Sequence, residues 1–334
     1  MAVTTKPFAL VTGATGFIGE RLASRLLYRG WALRVLVRDP ARLLPALGAR
    51  CGVVAGDLRD PASLRAAVEG VDVVFHCAAN VRTWDSWTAY REANVEGVEN
   101  LLNAIASTGR PVRLVHVSSV DVYSFPVEPC GEDVALAETE FGYGRSKQMG
   151  EAVVRRIGDE KGIPYTIIRP CNVIGPNSPF IVRVGHELRS GLMLKVDGGG
   201  ANCGFIYVDN LVDSLIWAAQ SEQAIGQTYN VRDGFDVSWA TFLDRLRKGI
   251  GGHGLIISLP FAWADALAGL FERLYRLLGL KGEPLLHRLI VHLFGRTCGH
   301  PVDKLRAHGG MVGTVGFDEA MTLSADWFKA NNKT

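Results

Sequence analysis

Thr12-Gly13-Ala14-Thr15-Gly16-Phe17-Ile18-Gly19 is the stretch on which the reading of this chain turns. It follows the apolar, β-branched run Phe8-Ala9-Leu10-Val11-Thr12. It opens a helical pattern from Gly16 to Tyr28 with Ile18, Leu22 and Leu26 on one side. Glycines at 13, 16 and 19 suit a tight turn, a close backbone approach to a pyrophosphate, and close helix–sheet contact. Free N–H groups and the dipole at the helix start favour an anion. A glycine trio by itself marks little more than a turn. Between a strand and a helix it predicts a dinucleotide site built from Gly13, Thr15, Gly16, Phe17, Ile18 and Gly19.

Outward from that turn, apolar strands recur at Leu33–Val37, Cys51–Ala55, Val71–Cys77, Val112–Val117 and Tyr165–Arg169, each separated by helical patterns. Strands apolar on both faces and spaced by helices predict an α/β fold, a doubly wound parallel sheet of Rossmann type. After Pro176 the rhythm loosens. Short pieces at Gly204–Val208 and Gln227–Val231 alternate with helices at Asn210–Gln220 and Val237–Lys248. The expected division is an NAD(P)-binding part over 1–176 and a smaller, mostly helical substrate-binding and lid region over 177–334. The two are interleaved, the sheet regaining short segments near 204–231. Between Pro260 and Phe294 two helical patterns stand out: Leu267, Leu270, Phe271, Leu274, Leu278, then Leu285, Leu289, Ile290, Leu293. They fit helices packed on the main domain, a greasy lid, or an amphipathic pair that associates with a membrane surface.

Composition narrows the class. Apolar residues make up 48% of the 334 and charged residues 21%, which excludes disorder and allows a large core. The formal charge of +2 gives no reason to expect nucleic acid as a partner. Six scattered cysteines and eight unclustered histidines show no metal-ligand spacing, so no metal is expected, and reduced thiols fit a cytoplasmic setting. No signal peptide is read at the N-terminus. The nearest approach to a membrane span, Leu255 to Phe271, is broken by Pro260 and Asp265.

The end of the second strand bears on cofactor choice, since an acid there binds a ribose hydroxyl and an arginine accepts a 2′-phosphate. Leu33-Arg34-Val35-Leu36-Val37-Arg38-Asp39 places Arg38 toward the phosphate, with Asp39 as a turn residue or N-cap before Pro40. This register favours NADP(H); a slip of two would hand the ribose to Asp39 and favour NAD(H). Asp57-Leu58 is a candidate adenine wall or a plain strand-to-helix turn. Ala78-Ala79, after His76-Cys77, offers small side chains where a dinucleotide must pass.

Tyr143-Gly144-Arg145-Ser146-Lys147 sets a phenol and an ammonium one helical turn apart, so the lysine can stabilise the phenolate for acid–base work. The pair lies 24 residues after Ser118-Ser119, whose hydroxyls end a strand at the same sheet edge. Either serine could orient a substrate oxygen. Trp84, Trp87, Phe180, Trp263 and Phe271 are candidates to line an apolar pocket, with core packing the default for each.

With these motifs stand Ser118-Ser119-Val120-Asp121-Val122-Tyr123, Arg169-Pro170-Cys171-Asn172-Val173-Ile174-Gly175-Pro176 and Phe205-Ile206-Tyr207-Val208-Asp209-Asn210. Together they resemble the extended short-chain dehydrogenase/reductase superfamily, and within it the branch of 3β-hydroxysteroid dehydrogenases and dihydroflavonol reductases. The resemblance spans nearly the whole chain. It implies Tyr143 as acid/base, Lys147 as pKa-lowering group and ribose ligand, Ser119 as the orienting hydroxyl, and Asn94 near the site, with a structural role in its helix as the alternative for Asn94. It also implies Pro170, Asn172 and Val173 beside the nicotinamide, a homodimer, and a small hydrophobic carbonyl or alcohol as substrate. The alternative, a nucleotide-sugar epimerase or dehydratase with tightly bound NAD, is weakened on two counts. Asn202-Cys203-Gly204 stands where those enzymes tend to carry an arginine, and Ile174 where they often carry a tyrosine. Arg183 or Arg189 could serve instead.

Overall fold

The computed structural model describes residues 6–280, 282–284 and 286–332; Leu285, part of the second lid pattern, lies outside them. Seven strands form one parallel sheet: β1 (Phe8–Thr12), β2 (Ala32–Val37), β3 (Gly52–Ala55), β4 (Val73–His76), β5 (Arg113–Val117), β6 (Tyr165–Pro170) and, after three further strands in the chain, β10 (Gln227–Val231). The spatial order is β10-β6-β5-β4-β1-β2-β3. Alternate residues of β1 enter opposite cores. Ala9 and Val11 pack with Leu22, Leu26 and Leu215 on one face, whereas Leu10 packs with Leu64, Leu101 and Val154 on the other. Burial on both faces is why these strands read as unbroken apolar runs.

The chain leaves β1 toward β2 and β3, and only later returns to lay β4 on the other side of β1. The carboxyl ends of β1 and β4 therefore flank a crevice, the place where open α/β sheets bind ligands. Two smaller parallel pairs, β7 (Asn172–Ile174) with β9 (Phe205–Tyr207) and β8 (Leu192–Val196) with β11 (Leu255–Leu259), carry a second core around Trp239, Phe242 and Phe328. Strands β7, β8 and β11 and the helix Pro179–Ser190 have no counterpart in the sequence reading. Each of the three strands is short and pairs with a distant partner, so local periodicity carries no sign of them. Leu255 to Phe271 resolves into β11 and the start of the helix Phe261–Leu277, split at Pro260. Among the described residues, no helix is long and apolar enough to cross a membrane.

Candidate active site

The turn after β1 is shaped by two contacts. Gly13 has φ +75°, and a Cβ there would lie 2.8 Å from the Ala78 backbone nitrogen. On Gly19 a Cβ would lie 2.2 Å from the Gly13 carbonyl oxygen. Glycine at these positions lets the helix Phe17–Tyr28 press its N-terminus into the turn, against the end of β4. Thr12 fastens the two strands. Its hydroxyl accepts from the Ala78 N–H at 3.2 Å and shares a hydrogen bond with His76 Nδ1 at 2.8 Å; burial keeps His76 neutral by lowering its pKa to about 3. The cradle fits a pyrophosphate: small residues, close backbone, and first-turn N–H groups that no carbonyl of their own helix can reach.

From this cradle a cavity of about 2910 Å³ runs beneath the helix Phe261–Leu277. Gly13, Thr15, Gly16, Phe17, Ile18, Gly19, Arg38, Asp57, Leu58, Ala78 and Ala79 line one end, and Ser119, Tyr143, Asn172 and Val173 also border it. Arg38 is exposed at the mouth, while Asp39 caps the turn Pro40–Arg42 by accepting from the Ala41 N–H at 3.0 Å. Arg42, absent from the sequence reading, borders the cavity as well, one turn beyond Arg38. The Asp57 carboxylate is bonded to Arg59 Nε at 3.0 Å and Arg59 N–H at 2.9 Å, contacts that hold its pKa below the usual range.

Three expected site residues stand behind the wall instead of on it. Asn94, in the π-turn Glu92–Glu96, accepts from the Asn80 N–H at 2.7 Å and donates to the Asn80 carbonyl and Ser146 Oγ, each at 2.9 Å. Its amide is fully engaged, so it is a positioning residue that ties the Ala78–Asn80 segment to the helix Gly142–Lys161. Pro170 is buried as the last residue of β6, in register with Val231, and does not border the cavity. Lys147 is buried too: Nζ donates to the Val117 carbonyl at 2.9 Å and lies 6.0 Å from the Tyr143 ring centre.

The two serines separate. Ser118 Oγ donates to Glu151 Oε1 at 2.7 Å, inside a buried network in which Arg169 grips both Glu151 oxygens (2.8 and 2.6 Å) and donates to Tyr123 Oη at 2.8 Å. Ser119 caps the turn Val120–Tyr123 and faces the cavity. Burial drives the Tyr143 phenol above its ordinary pKa, the Asp121 carboxylate adds to the rise, and the Ser119 hydroxyl pulls the other way. Burial also draws Lys147 down to about 8 and lifts Asp121 to about 6. Desolvation dominates at the phenol, and Tyr143 holds its proton. Asp121 was quoted in the sequence only as part of the Ser118–Tyr123 run. The signal for it was its place two residues after Ser119, whose Oγ donates to Asp121 Oδ1 at 3.2 Å.

The far end is mostly apolar, with Phe180, Val184, Met193, Leu194, Leu259 and Phe271 among its walls. Trp84 and Trp87 border the cavity, but Trp263 is 73% exposed on the outer side of its helix. A polar clasp closes this end: Glu283 accepts from Thr83 Oγ1 (2.7 Å), Arg183 (2.8 Å) and His287 Nε2 (2.7 Å). Arg183 is therefore engaged, and Arg189 is bonded to the Asn332 carbonyl and packed on Phe328. The Tyr207–Asn210 run is structural. Asp209 pairs with Arg21, and Asn210 accepts from the Thr314 N–H at 3.0 Å while donating to Asp233 at 2.8 Å.

The sequence pattern of the NAD dependent epimerase/dehydratase family matches residues 9–231, from within β1 to the end of β10. The chain belongs to that family. Among curated relatives, this family member is 32% identical to the 4-hydroxy-2-methyl-3-oxo-4-farnesyl-3,4-dihydroquinoline-1-oxide ketoreductase of Stigmatella aurantiaca (91% of this chain, 92% of that protein). It is 29% identical to the 2-alkyl-3-oxoalkanoate reductase of Stenotrophomonas maltophilia (93% and 96%). It is 27% identical to the 3beta-hydroxysteroid-dehydrogenase/decarboxylase isoform 1 of Arabidopsis thaliana (100% and 83%). The UDP-glucose 4-epimerase of Thermus thermophilus, solved with NAD, superposes with a TM-score of 0.75 at 22% identity, covering 97% of this chain and all of that one, a likeness of fold. This member of the epimerase/dehydratase family is an NAD(P)-dependent oxidoreductase of the extended short-chain dehydrogenase/reductase type.

Proposed function

We propose that the protein reduces a hydrophobic ketone to a secondary alcohol, with NADP(H) as the preferred cofactor and Tyr143 as the proton donor. The observation that carries this is the meeting of a protonated phenol with a cavity whose far end is apolar. The bound cofactor supplies a hydride to the carbonyl carbon. Tyr143 gives its proton to the carbonyl oxygen, Ser119 orients that oxygen, and Lys147 supplies the positive charge that steadies the resulting phenolate. Asn172 and Val173 line the passage between the two ends. In this reading residues 1–176 hold the cofactor, and 177–334 the substrate, with β10 returned to the sheet. Candidate substrates are sterols, terpenoids, flavonoid-like ketones and β-keto lipids, the last supported by the 2-alkyl-3-oxoalkanoate reductase relative. The nucleotide-sugar alternative is disfavoured because Arg183 and Arg189 are both engaged within the protein. A cytoplasmic homodimer, joined through the helices Gly97–Ala106 and Gly142–Lys161, completes the proposal.

The test is NADPH oxidation with a panel of apolar ketones beside UDP-glucose; turnover of the sugar alone would overturn the assignment. Arg38 and Arg42 support NADP(H). Arg38→Ala is expected to weaken NADPH binding roughly 10- to 100-fold, the worth of a charge-assisted hydrogen bond, and to leave NADH unchanged. Fluorescence titration of both cofactors checks it, and equal losses would remove Arg38 from the phosphate site.

Lys147 gives a pH dependence. Its folded pKa of about 8 means the ammonium is present below that value and lost above it. The ratio kcat/KM for the cofactor reports the free enzyme, and is expected to fall by up to about tenfold per pH unit above that point. Lys147→Arg should push this limb to higher pH. A wild-type profile flat through the alkaline range would contradict the role.

A further inference from the structure

Of twenty large hydrophobic side chains exposed among the described residues, nine lie between Leu255 and Leu280. Exposed apolar surface is thus gathered on the helix Phe261–Leu277 and the segments flanking it, where an isolated exposed side chain would mean nothing. On the helix Phe261–Leu277, Trp263, Leu267, Leu270, Leu274 and Leu277 follow the i, i+4, i+7, i+11, i+14 spacing of a single stripe, and Leu278 extends it. Trp263 is 73% exposed, Leu277 82% and Leu278 64%.

Two further observations say what covers this stripe. The charges on the helix are sorted by face. Asp265 is turned inward onto Arg288 Nε (2.9 Å) and His292 Nε2 (3.0 Å), and Glu272 accepts from the Arg288 N–H at 2.8 Å. Arg273 and Arg276 remain exposed, Arg276 also reaching Glu272 Oε2 at 3.3 Å and lying over the Trp84 ring. The outward face is therefore apolar with a cationic border, and it lacks an exposed acid. The second observation is continuity with the cavity: Leu267 and Leu270 are exposed outside and also border the cavity beneath. A protein partner would need complementary shape over a narrow ridge. An anionic lipid surface needs only an apolar stripe with a tryptophan and flanking arginines, the make-up of helices that lie in the plane of an interface.

We propose that the helix Phe261–Leu277 docks the protein on an anionic bilayer surface, apolar stripe inward, so that the cavity opens where an apolar substrate is dissolved. Docking stands on the surface of the helix alone; delivery of a ketone from the lipid rests on the reductase reading. The test needs no substrate, which keeps the two separable. The full chain is floated with vesicles of phosphatidylcholine and of phosphatidylcholine with phosphatidylglycerol. Wild type is expected to float with the anionic vesicles and to be only partly released by salt, since apolar contact persists when charge is screened. The triple variant Trp263→Ser, Leu274→Gln, Leu277→Gln changes only exposed positions, none of which borders the cavity. It is expected to lose at least about tenfold in partitioning, because three apolar side chains no longer leave water. Its melting curve and NADPH titration should match wild type, which separates lost docking from lost folding. Wild type remaining unbound on both vesicle types overturns the proposal, as does a triple variant that floats equally well. A wild-type oligomer that the variant turns into a monomer, with neither floating, assigns the stripe to a second copy of the chain instead and overturns it too.

Discussion

Replacing Tyr143 with phenylalanine is expected to lower kcat for ketone reduction roughly 100- to 10,000-fold, the range for losing a positioned general acid. Cofactor affinity should stay within about twofold, because the phenol borders the cavity at its join with the substrate end and the cradle lies at Gly13–Gly19. The substitution removes one oxygen and leaves the ring in place beside Tyr90, whose ring centre is 6.5 Å away, so folding is not at stake. Stopped-flow reduction at saturating NADPH measures the chemical step directly. Retained turnover would move the proton donor elsewhere, with Asp121 the next group to examine: its carboxyl is half-buried, raised to about 6 by desolvation, and borders the cavity.

The second large effect is on stability. Glu151 and Arg169 are almost wholly enclosed and doubly bonded, with Ser118, Arg155 and Tyr123 filling remaining positions of the network. Arg169→Met should cost about 3–5 kcal/mol, since it takes from the buried Glu151 charge the guanidinium bonded to both its oxygens and leaves it the half-exposed Arg155 at 2.9 Å and the Ser118 hydroxyl. The double variant Glu151→Leu, Arg169→Met should cost clearly less than the sum of the two single variants, because neither member of the pair is left buried without the other. Chemical denaturation of the four proteins completes the cycle. Strict additivity would mean the pair is not coupled. The network also explains a sequence puzzle: Ser118, Tyr123 and Arg169 belong to the motifs that signal the family, yet they meet behind the site, Ser118 joined to the other two through Glu151.

The glycine turn, the strand rhythm up to Arg169 and the Tyr143–Lys147 pair are local patterns, and local patterns are legible in one dimension. A strand buried on both faces must be apolar throughout. A turn that brings a would-be Cβ at position 19 to 2.2 Å from the Gly13 carbonyl oxygen must carry glycine there, and residues four apart on a helix must share a face. These facts determined the fold class, the crevice and the family without reference to neighbours distant in the chain. Other features had to wait for tertiary structure, because each depends on which distant segment arrives. Ser118 and Ser119 are equivalent as adjacent residues until Glu151 claims one of them. Asn94 reads as a site residue until Asn80 and Ser146 engage its amide, and Pro170 until β10 covers it. The state of the phenol also waits on the fold: enclosure and the nearby Asp121 carboxylate raise it, while Lys147 Nζ lies 6.0 Å from its ring centre, bonded to the Val117 carbonyl. The direction faced by the helix Phe261–Leu277 was the least legible of all. Its periodicity marks two sides, and only the packing of Ala264 and Ala268 against the second core, with Trp263 left in solvent, decides which side is buried.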